Sequence, residues 1–188
     1  MVVMQACSTI TVVPDAKYVQ AAREHLYTVE NWEFQGRMAI RDQQESWSAS
    51  LKWQHQKDAD RLRLSGPLGQ GGALIVLTAD TITIDQGDGQ IEYSEQPDLL
   101  IRQRLGIFVP VRAFRYWVVG LVQPGREFKE IADGFVQSGW TIRYMQFMQS
   151  GKELMPRKII VTSNTTKLKL IIDQWELLMD KSVPKQGM

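Results

Sequence analysis

From Trp32 onward the apolar residues fall at every second position, and that period decides what the chain can fold into. Trp32, Phe34, Gly36, Met38 and Ile40 share one side of an extended segment, with Glu33, Gln35 and Arg37 on the other. Trp47, Ala49, Leu51 and Trp53 repeat the pattern against Ser46, Ser48, Ser50 and Lys52. Successive side chains of a strand point to opposite faces, so this alternation predicts half-buried strands with one face in a core. Further strands are expected at about 60–65, 72–78, 81–85 and 90–94, and again at 126–132, 135–137, 140–148, 157–162 and 167–175. Between two of them, Asp85-Gln86-Gly87-Asp88-Gly89 has the composition of a hairpin turn. Short antiparallel strands with close turns make a meander that curls towards a barrel.

Helical segments interrupt the meander. Residues 97–106 carry Pro97 near the start and Gly106 just past the end, the usual placing of those residues at helix termini. Residues 112–120 read as a second short helix, with Phe114, Trp117, Val118 and Leu121 at three- and four-residue spacing and Gly120 as its stop. Both are expected to lie across the mouth or concave face of the curved sheet. An N-terminal helix is expected over 15–29, from the stripe Tyr18, Ala21, Ala22, His25, Leu26 and Val29. The expected organisation is a signal remnant and polar tether over 1–14, one mainly β domain over 15–178, and a polar tail over 179–188.

Two local features point outward. In Ser65-Gly66-Pro67-Leu68-Gly69-Gln70-Gly71-Gly72 a single leucine stands between a φ-locked proline and glycines, in a loop joining two strands. Such loops run over the surface, because burying them would strand backbone polar groups, so Leu68 is expected to project outward. The second feature is Cys7, the one cysteine of the chain, after the run Val2-Val3-Met4-Gln5-Ala6. An apolar run, a small residue and then cysteine resembles the end of a bacterial lipoprotein signal. A complete signal needs an apolar region of about 7–15 residues after a positive start. Only six residues precede Cys7, so the signal is incomplete as it stands: either the true start lies upstream or the sequence is trimmed.

Composition excludes several classes of function. Lys plus Arg is 22 against 21 for Asp plus Glu, a net charge of +1 that gives no long-range attraction for nucleic acid. No apolar run reaches the length of a membrane-spanning helix. His25 and His55 lack the spacing partners of a zinc site. Residues 66–72 lack the Lys-Ser/Thr pair of a phosphate loop and lead into a strand rather than a helix. No serine occupies a nucleophile elbow, and Cys7 has no histidine near it in sequence. An enzyme is not expected, nor any cofactor or metal. Alternation together with the apolar helices suggests a hollow lined by Trp53, Leu64, Leu74, Phe114, Trp117 and Ile142.

The ordered set Trp32-x-Phe34-x-Gly36-Arg37, Leu51-x-Trp53, Gly66-Pro67-Leu68-Gly69, Pro110 with Trp117-x-x-Gly120, Gln137-x-x-Trp140-x-x-x-Tyr144, Pro156, and Lys167-Leu168-Lys169-Leu170-x-Ile172-x-x-Trp175 resembles the LolB family of outer-membrane lipoprotein receptors. The resemblance implies an open antiparallel barrel of about eleven strands with short helices plugging its hollow. It also implies that the hollow receives the acyl chains of lipoproteins brought by a LolA-like periplasmic carrier, and that a leucine-tipped loop, here Gly66, Pro67, Leu68 and Gly69, delivers them into the inner leaflet of the outer membrane. Cys7 maps onto the lipid anchor, and Ser8 after it is compatible with outer-membrane sorting. A monomer on the periplasmic face is expected, with Arg102, Arg104, Arg112 and Arg115 as a candidate docking patch for the carrier. A lipocalin-like binder of small apolar ligands would share the curved sheet without needing the leucine loop.

Overall fold

The structure, a computed structural model, describes residues 11–13, 17–42, 46–66, 71–106 and 108–178. The alternating segments form one antiparallel sheet from β1 (Val12–Val13), β2 (Asn31–Arg41), β3 (Ser46–Gln56), β4 (Ala59–Ser65), β5 (Gly72–Leu77), β6 (Ile82–Asp85), β7 (Ile91–Ser94), β8 (Phe128–Ile131), β9 (Gly134–Gln137), β10 (Trp140–Ser150), β11 (Glu153–Thr162) and β12 (Lys167–Leu177). The main path of eleven strands runs β7-β6-β5-β4-β3-β2-β12-β11-β10-β9-β8. Its two edge strands, β7 and β8, are four residues each, which limits the unpaired backbone offered to other chains.

The period-two reading holds along the long strands. In β2, Trp32, Phe34, Gly36, Met38 and Ile40 are buried and the residues between them are half-buried or exposed. The inward side chains of β2–β6 and β10–β12 make one hydrophobic core. Two bulges bend the sheet, one between Tyr144 and Phe147 on β10 and one at Asp173 on β12. Gly36 lies against the second: a Cβ there would collide with the carbonyl oxygen of Ile171, so only glycine lets these strands approach.

Helices α1 (Pro97–Leu105) and α2 (Val111–Val119) end on Gly106 and Gly120, each in the left-handed conformation at φ 67° and 87°. Helix α2 lies over the concave face, with Trp117 and Val118 fully buried. Asp98 of α1 accepts the backbone N–H of Val111 at 3.1 Å and so caps the start of α2.

Two N-terminal expectations change. Instead of an α-helix over 15–29, the described residues form a 3₁₀ helix, Ala21–Thr28, whose buried residues are Arg23 and Leu26. A three-residue repeat stacks these two on one side, whereas the wider stripe read from the sequence leaves Ala21, Ala22 and His25 exposed. The stretch read as a polar tether also contributes to the sheet. Val12 and Val13 pair with Met148 and Phe147, extending β10 beyond the part covered by β9.

Candidate functional site: the concave face and its mouth

Antiparallel pairing places the turns after β2, β4, β6 and β11 at one end of the sheet, here called the mouth. The turns at 57–58, 78–81 and 151–152 lie at the other end. The concave face between them is apolar. Trp53 is fully buried, with its ring 5.7 Å from Phe114 of α2, 5.7 Å from Trp32 and 5.9 Å from Phe34. Trp117 of α2 approaches Trp140 at 6.1 Å, and Ile142 and Leu64 are buried on the same face. Of the six residues expected to line a hollow, Trp53, Leu64 and Ile142 lie on the inner face of the sheet and Phe114 and Trp117 on α2 facing it, all buried within one core.

Leu74 does not belong with them. On β5 the buried residues are Ala73, Ile75 and Leu77; Leu74 is half-buried on the outer face, paired with Arg63 and Asp85. A one-residue error in register reverses every side chain of a strand, and that accounts for the difference.

Polar side chains fasten the end away from the mouth. Asp60 is fully buried on the inner face, where its Oδ1 accepts the indole N–H of Trp53 and the Nδ1–H of His55, both at 2.9 Å. Arg115 of α2 reaches Oδ2 at 3.3 Å and donates to the Tyr116 hydroxyl at 3.1 Å. Arg23 donates to the carbonyl oxygens of Val119 at 2.6 Å, Gly120 at 3.1 Å and Leu154 at 2.8 Å. It thus satisfies carbonyls that the end of α2 leaves open and ties the 3₁₀ helix to β11. Burial pulls the Arg23 guanidinium below its ordinary range, while the neighbouring Tyr144 and Tyr18 oppose that shift. Gln137 joins α2 to β9, accepting the indole N–H of Trp117 at 3.0 Å and donating to the Gln123 carbonyl at 3.0 Å.

The mouth is less covered. Trp47 and Ala49 on the inner face of β3 are half-buried, and Phe108 is 48% exposed while stacking on Trp140 with ring centres 6.2 Å apart. The indole nitrogen of Trp47 is one of two buried side-chain nitrogens without a hydrogen-bond partner among the described residues. The other is Nε of Arg157 at the β10–β11 bulge. Gly66 closes the base of the β4–β5 loop, donating to the Gly71 carbonyl at 3.4 Å. Pro67, Leu68 and Gly69 lie outside the described residues, as does Cys7.

The four arginines expected as a docking patch separate. Arg115 turns inward to Asp60, and Arg104 pairs with Glu92 at 2.6 Å. Arg102 and Arg112 are exposed. The buried polar residues Asp60, His55 and Gln137 were given no site role from the sequence, yet it carries the signal of their burial. Asp60 is in phase with Leu62 and Leu64, His55 with Leu51 and Trp53, and Gln137 with Phe135.

Comparison with known proteins agrees with this geometry. The family model of the outer membrane lipoprotein LolB matches residues 30–175. An outer-membrane lipoprotein LolB of Chromohalobacter salexigens is 34% identical over 167 residues, covering 86% of this chain and 78% of the relative. That of Thiobacillus denitrificans is 32% identical over 152 residues, covering 77% and 80%. Among solved structures, a LolA superfamily protein of Nitrosomonas europaea superposes with a TM-score of 0.52 at 10% identity, covering 87% of this chain and 91% of that one, a likeness of fold. With the family model spanning β2 to β12 and both α-helices described above, the chain belongs to the LolB family of outer-membrane lipoproteins.

Proposed function

We propose that this protein receives acylated lipoproteins from a LolA-type periplasmic carrier onto its concave face and places them in the outer membrane through the 66–71 loop. The observation that carries this reading is the concave face itself. Its residues form one continuous apolar cluster on an open sheet, buried under short helices rather than under a second sheet. Moving acyl chains from water to such a surface is favoured by about 0.8 kcal/mol per CH₂, so several chains together would not escape into water. Release therefore has to occur directly into lipid. The unpaired indole N–H of Trp47 supports entry at the mouth, since a carbonyl on an incoming acyl group would satisfy it.

No chemical step is required, because cargo moves towards the site of higher affinity at about 1.4 kcal/mol per tenfold difference. Leu68 acts in delivery: a leucine entering the bilayer contributes about 1.5–3 kcal/mol, enough to orient the mouth but not to anchor the protein. Anchoring falls to acylated Cys7, with a monomer held at the periplasmic face of the outer membrane.

Leu68→Glu tests the reading, because a charge at the loop tip costs several kcal/mol in hydrocarbon while a surface loop residue contributes little to the core. The variant is expected to melt like the wild type, accept cargo from the carrier, and fail to insert it into liposomes. Normal insertion would remove the delivery role. A fall in melting temperature together with lost acceptance would place the leucine against the barrel instead.

A further inference from the structure

The outer face of the sheet beside the 66–71 loop carries a cationic trough that the delivery reading leaves unused. We propose that it binds the phosphodiester headgroup of an anionic glycerophospholipid, deepening that reading and resting on it for the orientation of the loop. Register builds the trough row by row. Nearest the mouth, Lys167 stands opposite Arg41, which stands opposite Ser46. In the next row Lys169 is opposite Ala39 and Ser48, and in the third Ile171 is opposite Arg37, Ser50 and Ser65. None of these positions carries an acid, but Arg37 is paired with Asp173 beside the third row at 3.0 Å, so the cationic character rests on Lys167, Lys169 and Arg41. The floor is made of side chains no larger than serine or alanine except at Ile171, and long cations stand at its sides. This leaves a depression of about 540 Å³. A second of about 360 Å³, sharing Ala39, Ser48 and Lys169, continues towards Arg41 and Lys167.

Three observations select the occupant. Like charges directly opposite in a sheet are destabilising, so an anion bound between Lys167 and Arg41 would relieve their repulsion. The serine hydroxyls of the floor are donors suited to phosphate oxygens beside the fixed cations. The depression is small and floored by short side chains, so a narrow headgroup fits it better than a flat protein surface does. Ser65 and Gly66 line the depression and lead directly into the loop, so a headgroup held here would lie at the loop's base.

Co-sedimentation of the full chain with vesicles of phosphatidylcholine, with and without phosphatidylglycerol, tests this. The wild type is expected to prefer the anionic vesicles, and Lys167→Ser/Lys169→Ser to lose roughly fivefold of that preference per lysine. Ser48→Gln/Ser50→Gln fills the floor without changing the charge, and is expected to lose the preference while melting like the wild type. Equal binding to both vesicles by the wild type would overturn the proposal. So would a filled variant that keeps the full preference, since diffuse charge would then suffice. Displacement by inorganic phosphate at matched ionic strength would replace the lipid with a soluble anion. Slowed transfer from the carrier with vesicle binding unchanged would make the trough a protein-docking face. Cargo insertion by Leu68→Glu, measured alongside, separates failure of the trough from failure of the delivery reading.

Discussion

At the end of the sheet away from the mouth, Asp60 collects three donors and Arg23 spends its guanidinium on three carbonyls. At the mouth, the Trp47 indole N–H has no partner and Lys167 stands opposite Arg41. Buried polar groups in folded proteins are nearly always paired, so the contrast is informative. One end is closed around its own groups, with the C-terminus of α2 fixed to the sheet. The other sets two cations opposite each other and leaves a buried donor without a partner among the described residues, which is the state expected of a surface that meets something else.

The largest effect should come from breaking the fastened end. Asp60→Ala leaves the Trp53 and His55 donors and the Arg115 cation without their common acceptor, and removing one partner of a buried ion pair costs about 3–5 kcal/mol. Urea unfolding should show that loss as a lower midpoint. A change within experimental error would mean that α2 is held by apolar packing alone and that the two ends do not differ.

A smaller effect of opposite sign is expected at the mouth. Trp47→Phe removes a buried donor that has no acceptor, so stability should hold or rise by about 1 kcal/mol while cargo acceptance falls. Thermal melting and an uptake assay on the same sample would check this. A loss of stability like that of Asp60→Ala would class Trp47 with the core.

The smallest effect lies at Asp98, which caps α2. Burial raises its carboxyl above the ordinary range, against the opposing pull of the Val111 N–H and of Arg112. The folded state therefore holds the proton more firmly than the unfolded chain, and stability should fall as pH rises from the ordinary carboxylate range through the raised value. Asp98→Asn keeps an acceptor for Val111 and abolishes that slope, so it should equal or exceed the wild type at neutral pH. Melting temperatures across the acid range would detect the difference, and a variant retaining the wild-type slope would locate the titration elsewhere.

Much of the fold was legible in the sequence because its strands are neighbours in sequence and alternate cleanly. The faces of β2 and β3 and the glycine stops of both helices needed only local rules. What escaped depends on distant partners. The pairing of Val12–Val13 with β10 has no local signal, and Arg23 is explained only by carbonyls roughly a hundred residues away in the chain. Leu74 was misplaced because β5, Gly72–Leu77, is apolar at every position after its first glycine, so either phase looks inward. Asp60 was passed over because a carboxylate on an apolar face makes sense only once Arg115 is known to reach it. The residues expected to deliver and anchor, Leu68 and Cys7, lie outside the described residues, and their roles rest on sequence and family likeness.

The edge strands β7 and β8 give the sheet a seam, where a closed barrel would have a last ladder of hydrogen bonds. In a closed barrel the number of strands and their stagger together fix the diameter. An open strip has no such constraint: a change of twist, spread over many strands, widens or narrows the enclosed space without parting any pair. Under the reading proposed above, the space could thus follow the girth of its cargo without parting a strand pair, like a split ring on a shaft. Amide hydrogen exchange along β2, β3 and β12 should then stay equally slow whether the ring is tight or sprung.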